Sequence, residues 1–122
     1  MKKEESLQLS LCNYIRLQYP KALFNVDMSG IKLSIGQAMK LKKLRSGRSF
    51  PDMNILEAKQ GYHGLFMELK SKSPFRVDGV TLLKDGHLEE QAEMLSQLNL
   101  RGYLAVFVWS FEQGKKIIDN YL

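Results

Sequence analysis

A mixed α/β layer fold is predicted, and three patterns carry the prediction. Apolar residues recur at helical spacing in two separated stretches, one at the start of the chain and one from Leu88 to Leu98. Between them, two short β-favouring runs flank a glycine-containing turn. Near the end, Leu104 to Trp109 is a continuous apolar run of strand length, as suits a strand covered on both faces. A chain of 122 residues has the size of one ordinary domain around one core, so a single domain over 1–122 is expected.

Each element has its own signal. Residues 4–18 place Leu7, Leu11 and Ile15 four apart with Tyr14 beside them, and Pro20 stops the helix. Ala22 to Met28 reads as a short strand closed by the Ser29-Gly30 turn. Helical spacing returns from Ile35 to Leu44, with Met39 and Leu44 among lysines, until Ser46-Gly47. Asp52 to Ala58 and Leu65 to Ser71 then form a predicted β-hairpin turning through Gln60-Gly61-Tyr62-His63-Gly64. Pro74 to Lys84 fits either a second small hairpin around Asp78-Gly79 or a loop. Leu88, Gln91, Ala92, Leu95 and Leu98 mark one face of a helix that ends at Gly102, which suits a left-handed cap. After the apolar strand, Ser110 with Gln113 matches a capping box and opens a closing helix to about Asn120. The expected order is α-β-α-β-β-α-β-α.

Bulk properties narrow the function classes. Hydrophobic residues at 44% and charged residues at 25% are globular values, which argues against a disordered chain. The formal charge of +5 favours a polyanionic partner. Between Asp27 and Asp52 there is no acidic residue, while Lys32, Lys40, Lys42, Lys43, Arg45 and Arg48 fall there. That segment is either a phosphate-binding surface or a solvated helix face. Cys12 is the only cysteine, so an internal disulfide and a cysteine-based zinc site are excluded, and a reducing cytoplasm is expected. The start of the chain has no apolar block of the signal-peptide kind, and no apolar run reaches bilayer length, so no membrane role is expected. A glycine-rich phosphate loop with its lysine and a serine elbow are both missing, which leaves ATP use and acyl transfer without support. His63 and His87 have no zinc-like spacing and are expected to be solvated or hydrogen-bonded, and the aromatic residues are expected in the core.

The predicted hairpin carries the chemistry. Side chains alternate along a strand, so Leu65, Met67 and Leu69 share one face while Phe66, Glu68 and Lys70 share the other. A turn around Gly61 would return Asp52 to the level of Glu68. Two carboxylates and an ammonium would then converge. Oxygen ligands of this kind hold Mg²⁺ or Mn²⁺, and phosphodiester hydrolysis needs such a cation together with a positioned water. Lys70 would orient or deprotonate that water. Gln91 and Glu4 lie among apolar residues on their helical faces; either they reach this cluster as supporting groups, or they sit in water at the rim of their stripes.

These residues resemble the virus-type replication-repair nuclease (VRR-NUC) family of the PD-(D/E)XK superfamily. The likeness runs through Glu4-Glu5 with Leu7-Gln8, Arg16-Leu17-Gln18-Tyr19-Pro20, Pro51-Asp52, Gly61 to Lys70, Gln91, Gly102-Tyr103 and Ile118 to Leu122. The resemblance implies a restriction-endonuclease-like core, a central mixed β-sheet flanked by helices. It further implies that Asp52 and Glu68 bind the divalent metal with the carbonyl of Leu69, that Lys70 serves the water, and that Gln91 and Glu4 are accessory residues, with Glu5 the competing acid. Structure-selective cutting of branched DNA such as four-way (Holliday) junctions by viral or bacterial homodimers is also implied, with Lys40, Lys42, Lys43, Arg45 and Arg48 as candidates for DNA-backbone contact. A catalytically silent DNA-binding module, a restriction-type nuclease and a protein-binding adaptor are the rivals. The chain departs from the family at one point: Ser49 stands where members usually carry glycine, two residues before the Pro-Asp pair.

Overall fold

In the computed structural model, residues 2–28 and 31–122 are described, and the expected Ser29-Gly30 turn lies outside them. The elements follow the expected order: α1 (Lys3–Gln18), β1 (Phe24–Val26), α2 (Ile35–Leu44), β2 (Met53–Ile55), β3 (Leu65–Leu69), α3 (Gly86–Leu100), β4 (Leu104–Val108) and α4 (Phe111–Tyr121). The four strands form one sheet in the order β1-β2-β3-β4. The first three pair antiparallel, and β4 joins β3 in parallel after the α3 crossover, so the sheet is mixed as predicted. β1 is shorter than its β-favouring run, because only single bonds extend its ladder: Asp27 N–H to Asp52 O and Leu56 N–H to Leu23 O, each 2.8 Å.

Alternation along the strands builds a layer on each face. Leu65, Met67 and Leu69 pack with Leu11 and Ile15 of α1 and Ile118 and Tyr121 of α4. On the opposite face, Phe66, Ala105 and Phe107 pack with Leu88, Leu95 and Leu98 of α3. β4 is therefore covered on both sides, which explains why its sequence is apolar throughout. Tyr14, Phe24 and Phe111 join the first cluster, and Trp109 joins the second. Asn99 ties the end of α3 to β4 by donating to Ala105 O and accepting from Ala105 N.

The turns follow from their residues. Gln60 and Gly61 both have positive φ, at 54° and 82°, the signature of a type I′ hairpin turn between Lys59 and Tyr62. Residues 74–84 form the small hairpin, with Phe75 paired to Leu82 and Asp78 accepting from the backbone N–H groups of Val80 and Thr81. Phe75 is anchored edge-on against Phe107 and Trp109. Ser110 caps α4 through Gln113 N–H, but the Gln113 side chain accepts from Trp109 N–H, one residue before the cap itself. A complete capping box instead opens α2, where Ser34 and Gln37 bond reciprocally. α2 buries none of its residues, and its apolar Ile35, Met39 and Leu44 are exposed.

Candidate active site

The pairing of Met53 with Met67 sets Asp52 beside Glu68 one step further along the ladder. Asp52 thus stands at the mouth of β2 after the buried Pro51, and its Oδ2 accepts from Leu69 N–H at 2.8 Å. Glu68 faces the α3 side of β3 and is only 5% exposed, and its Oε2 is buried with no hydrogen-bond donor among the described residues. Lys70 follows on the same face and donates from Nζ to Gln91 Oε1 at 3.1 Å. Gln91, 7% exposed, comes from α3, and its Nε2 lies 3.2 Å from His87 Nε2 one helical turn earlier. Asp52, Glu68 and Lys70 are therefore brought together, and of the two readings open for Gln91 the structure shows the one in which it reaches Lys70.

Around them opens a cleft of about 600 Å³, lined also by Glu4, Glu5, Gln8, His87, Arg45 and Arg48. Glu4 and Glu5 both reach this wall, and the charge of Glu4 is felt at Asp52. Gln8, one turn further along α1, makes the direct contact from that helix, its Nε2 donating to Asp52 O at 3.4 Å. Arg45 pairs with Asp27 and lies over the Phe50 ring, and Arg48 pairs with Glu90 at 2.9 Å. Lys40 and Lys43 stand exposed on α2 away from the cleft, with Lys42 beside a neighbouring groove. Ser49 has φ +66°, so the position where the family carries glycine has the left-handed backbone that glycine favours.

Charge makes the pair unstable as two bare carboxylates. Burial, then the charge of Asp52, pushes the Glu68 carboxyl up to about 9, with Lys70 pulling the other way. Burial also raises Asp52, opposed first by the Leu69 N–H. Among the described residues, neither acid has a Lys or Arg within ion-pair distance. A hard divalent cation fits this pair: the donors are all oxygen, and among the described residues no group donates a hydrogen bond to the buried Glu68 Oε2. No group of three or more His, Cys, Asp or Glu side chains converges among the described residues. Two carboxylates with backbone and water suit Mg²⁺ or Mn²⁺, which keep waters in their shell, better than zinc or a calcium cage. No helix among the described residues is long and apolar enough to cross a membrane.

No protein-family model matches the chain, and no curated protein matches it. A solved structure named VRR_NUC domain protein does, with a TM-score of 0.71 at 22% identity, covering 100% of this chain and 89% of the other. Likeness at that identity speaks to backbone architecture alone. The chain has the fold of that VRR_NUC domain protein, a mixed four-stranded sheet between helices.

Proposed function

We propose that the chain is a Mg²⁺- or Mn²⁺-dependent endonuclease that hydrolyses phosphodiester bonds in branched DNA such as four-way junctions. The observation that carries this reading is the pairing of buried Glu68 with half-buried Asp52, with no Lys or Arg within ion-pair distance of either among the described residues, on a cleft beside the Lys70 ammonium that Gln91 holds. Asp52 and Glu68 would hold the cation, with the Leu69 carbonyl as a third oxygen. When bound, such a cation polarises the phosphate and offsets the charge that develops on it. The Lys70 ammonium would orient the attacking water and offset charge on the phosphate; as the new P–O bond forms the scissile P–O bond breaks, the proton of the water passing to solvent and the leaving oxygen taking one from solvent. Gln91 fixes the Lys70 ammonium, and the Leu69 N–H fixes the Asp52 carboxylate, so both chemical groups are oriented before substrate arrives. Glu4 lies on the cleft wall from which it could support water or cation.

Selectivity for branched DNA rests on the motif resemblance. A homodimer would supply two sites for two symmetric cuts, as a four-way junction requires. Labelled junction, flap and linear duplex incubated with protein and Mg²⁺ test the reading. Branched substrates should be cut, chelator should stop the reaction, Asp52→Asn should abolish it, and Lys70→Ala should slow it by about 10²–10⁴-fold. Equal products from wild type and Asp52→Asn would refute the assignment. Salt-sensitive junction binding without turnover at any metal concentration would leave a catalytically silent binding module in its place. Fixed cut positions on linear duplex would instead favour the restriction-type nuclease.

A further inference from the structure

His87 was expected to have no more than a solvated or hydrogen-bonded role, yet the polarity of its contact constrains it more tightly. The Lys70 ammonium has only N–H bonds to offer, so the Gln91 atom 3.1 Å from Nζ must be the carbonyl oxygen. The amide nitrogen is thereby turned towards His87 Nε2, at 3.2 Å. An amide nitrogen only donates, so His87 Nε2 must present its lone pair, and the ring proton must sit on Nδ1. The backbone steadies this arrangement. His87 lies in the first turn of α3, its N–H donates to the capping Asp85 carboxylate at 2.9 Å, and Gln91 follows at the i+4 position on the same helical face.

The two ends of a glutamine amide are nearly the same size, so packing alone does not choose between them. Turned over, Gln91 would aim N–H bonds at an ammonium and would repel Lys70 from its place beside Glu68. Among the described residues, Lys70 and His87 are the only side chains that bond the Gln91 amide: the ammonium takes only its oxygen end, and the Nδ1–H tautomer of His87 takes only its nitrogen end. His87 is exposed and lines the cleft, whereas Gln91 is buried beneath it.

We infer that His87, as the Nδ1–H tautomer, is a positioning residue that fixes the Gln91 amide and through it the Lys70 ammonium, an inference that rests on the nuclease reading for what Lys70 then does. Two variants separate positioning from structure. His87→Ala removes the acceptor, while His87→Gln returns an oxygen to about the place of Nε2. In junction cleavage, His87→Ala should lower kcat by about tenfold with KM unchanged, and His87→Gln should recover most of that loss. Two readouts need neither metal nor DNA. Two-bond ¹H–¹⁵N correlations of the metal-free protein at about pH 8 should show Nδ1 protonated and Nε2 bare. The Lys70 ¹³Cε resonance should move in His87→Ala and return in His87→Gln. A proton on Nε2, an unmoved Lys70 resonance, or a wild-type kcat in His87→Ala would overturn the inference. If the wild-type protein cuts no DNA, the nuclease reading falls, while the tautomer and the Lys70 resonance still decide whether His87 positions the ammonium.

Discussion

Ser49 and Glu68 each hold a conformation or charge state that costs stability where the chemistry is proposed. A serine at φ +66° suffers the clash between Cβ and backbone that glycine avoids, and among the described residues its side chain makes only a long bond of 3.3 Å to the exposed Glu90. Ser49→Gly should therefore stabilise the protein by about 0.5–1 kcal/mol, the relief of strain exceeding the added freedom of the unfolded chain. A denaturant midpoint that falls in this variant would show that the Glu90 contact matters more. Glu68 is the converse case, a buried carboxyl whose folded-state pKa lies above its ordinary value. Its folded form binds the proton more tightly, so stability is greatest below the ordinary carboxylate range and declines as pH rises toward about 9. Glu68→Gln removes that decline and lets an amide N–H face Asp52. The metal-free variant should gain about 1–3 kcal/mol at the alkaline end of this window. If Asp52 and Glu68 hold the cation as proposed, Mn²⁺ should raise the Tm of the wild type and not that of the variant. Equal Mn²⁺-induced shifts in the two proteins would remove Glu68 from the metal site.

Between elements, α1 and α4 are joined by an apolar contact and by a polar one. Gly114 lets α4 approach so closely that an added Cβ would meet Leu11 Cδ2 at 2.8 Å and Val108 Cγ1 at 3.1 Å. Gly114→Ala should destabilise by about 1–3 kcal/mol despite the better helix propensity of alanine, as measured by urea unfolding. On the surface, Asp119 Oδ1 accepts from the phenols of Tyr14 at 2.5 Å and Tyr19 at 2.7 Å. These bonds lower the Asp119 pKa, so its contribution is present above the ordinary carboxylate range and lost as pH falls through the lowered value. The same bond, with burial and the Asp119 charge behind it, raises the Tyr14 phenol to about 12, so that contribution is lost as pH climbs from the ordinary value of 10.0 through 12. Asp119→Ala should lower Tm near neutrality and converge with wild type at both extremes; a constant offset at every pH would show that the bonds carry no linkage. These elements were legible because their signals are local: Leu7, Leu11 and Ile15 repeat at one helical period, and alternation in β3 sorts Met67 from Glu68. Asp52 was legible too, since the hairpin turn fixes the register. The role of His87 was not, because it is set by the polarity of a buried amide that takes its orientation from a strand distant in sequence. The left-handed Ser49 and the idle apolar face of α2 were hidden likewise, since each depends on what the rest of the chain places nearby.

For the molecule as a whole, the excess positive charge of +5 is unevenly committed. Arg45 and Arg48 face the cleft but are paired with Asp27 and Glu90, whereas Lys40, Lys42 and Lys43 stand exposed on a helix that buries nothing. A phosphate that meets Arg45 must compete with an existing carboxylate, while one that meets the α2 lysines displaces only counterions. Non-specific attraction to DNA should therefore reside mainly on α2, and the paired arginines should act as walls of the cleft that set where the strand lies. Each phosphate contact contributes about 0.9 to the slope of log K against log salt on duplex DNA. Changing Lys40, Lys42 and Lys43 together to Gln should therefore flatten that slope by about 2–3, whereas Arg45→Gln should change it by less than about 1. Fluorescence anisotropy on a four-way junction, with chelator present and salt raised from about 50 to 200 mM, isolates binding from cleavage. An unchanged slope in the triple variant would mean that α2 points away from the bound DNA, and the phosphate-binding surface would then have to be built from the cleft rim itself.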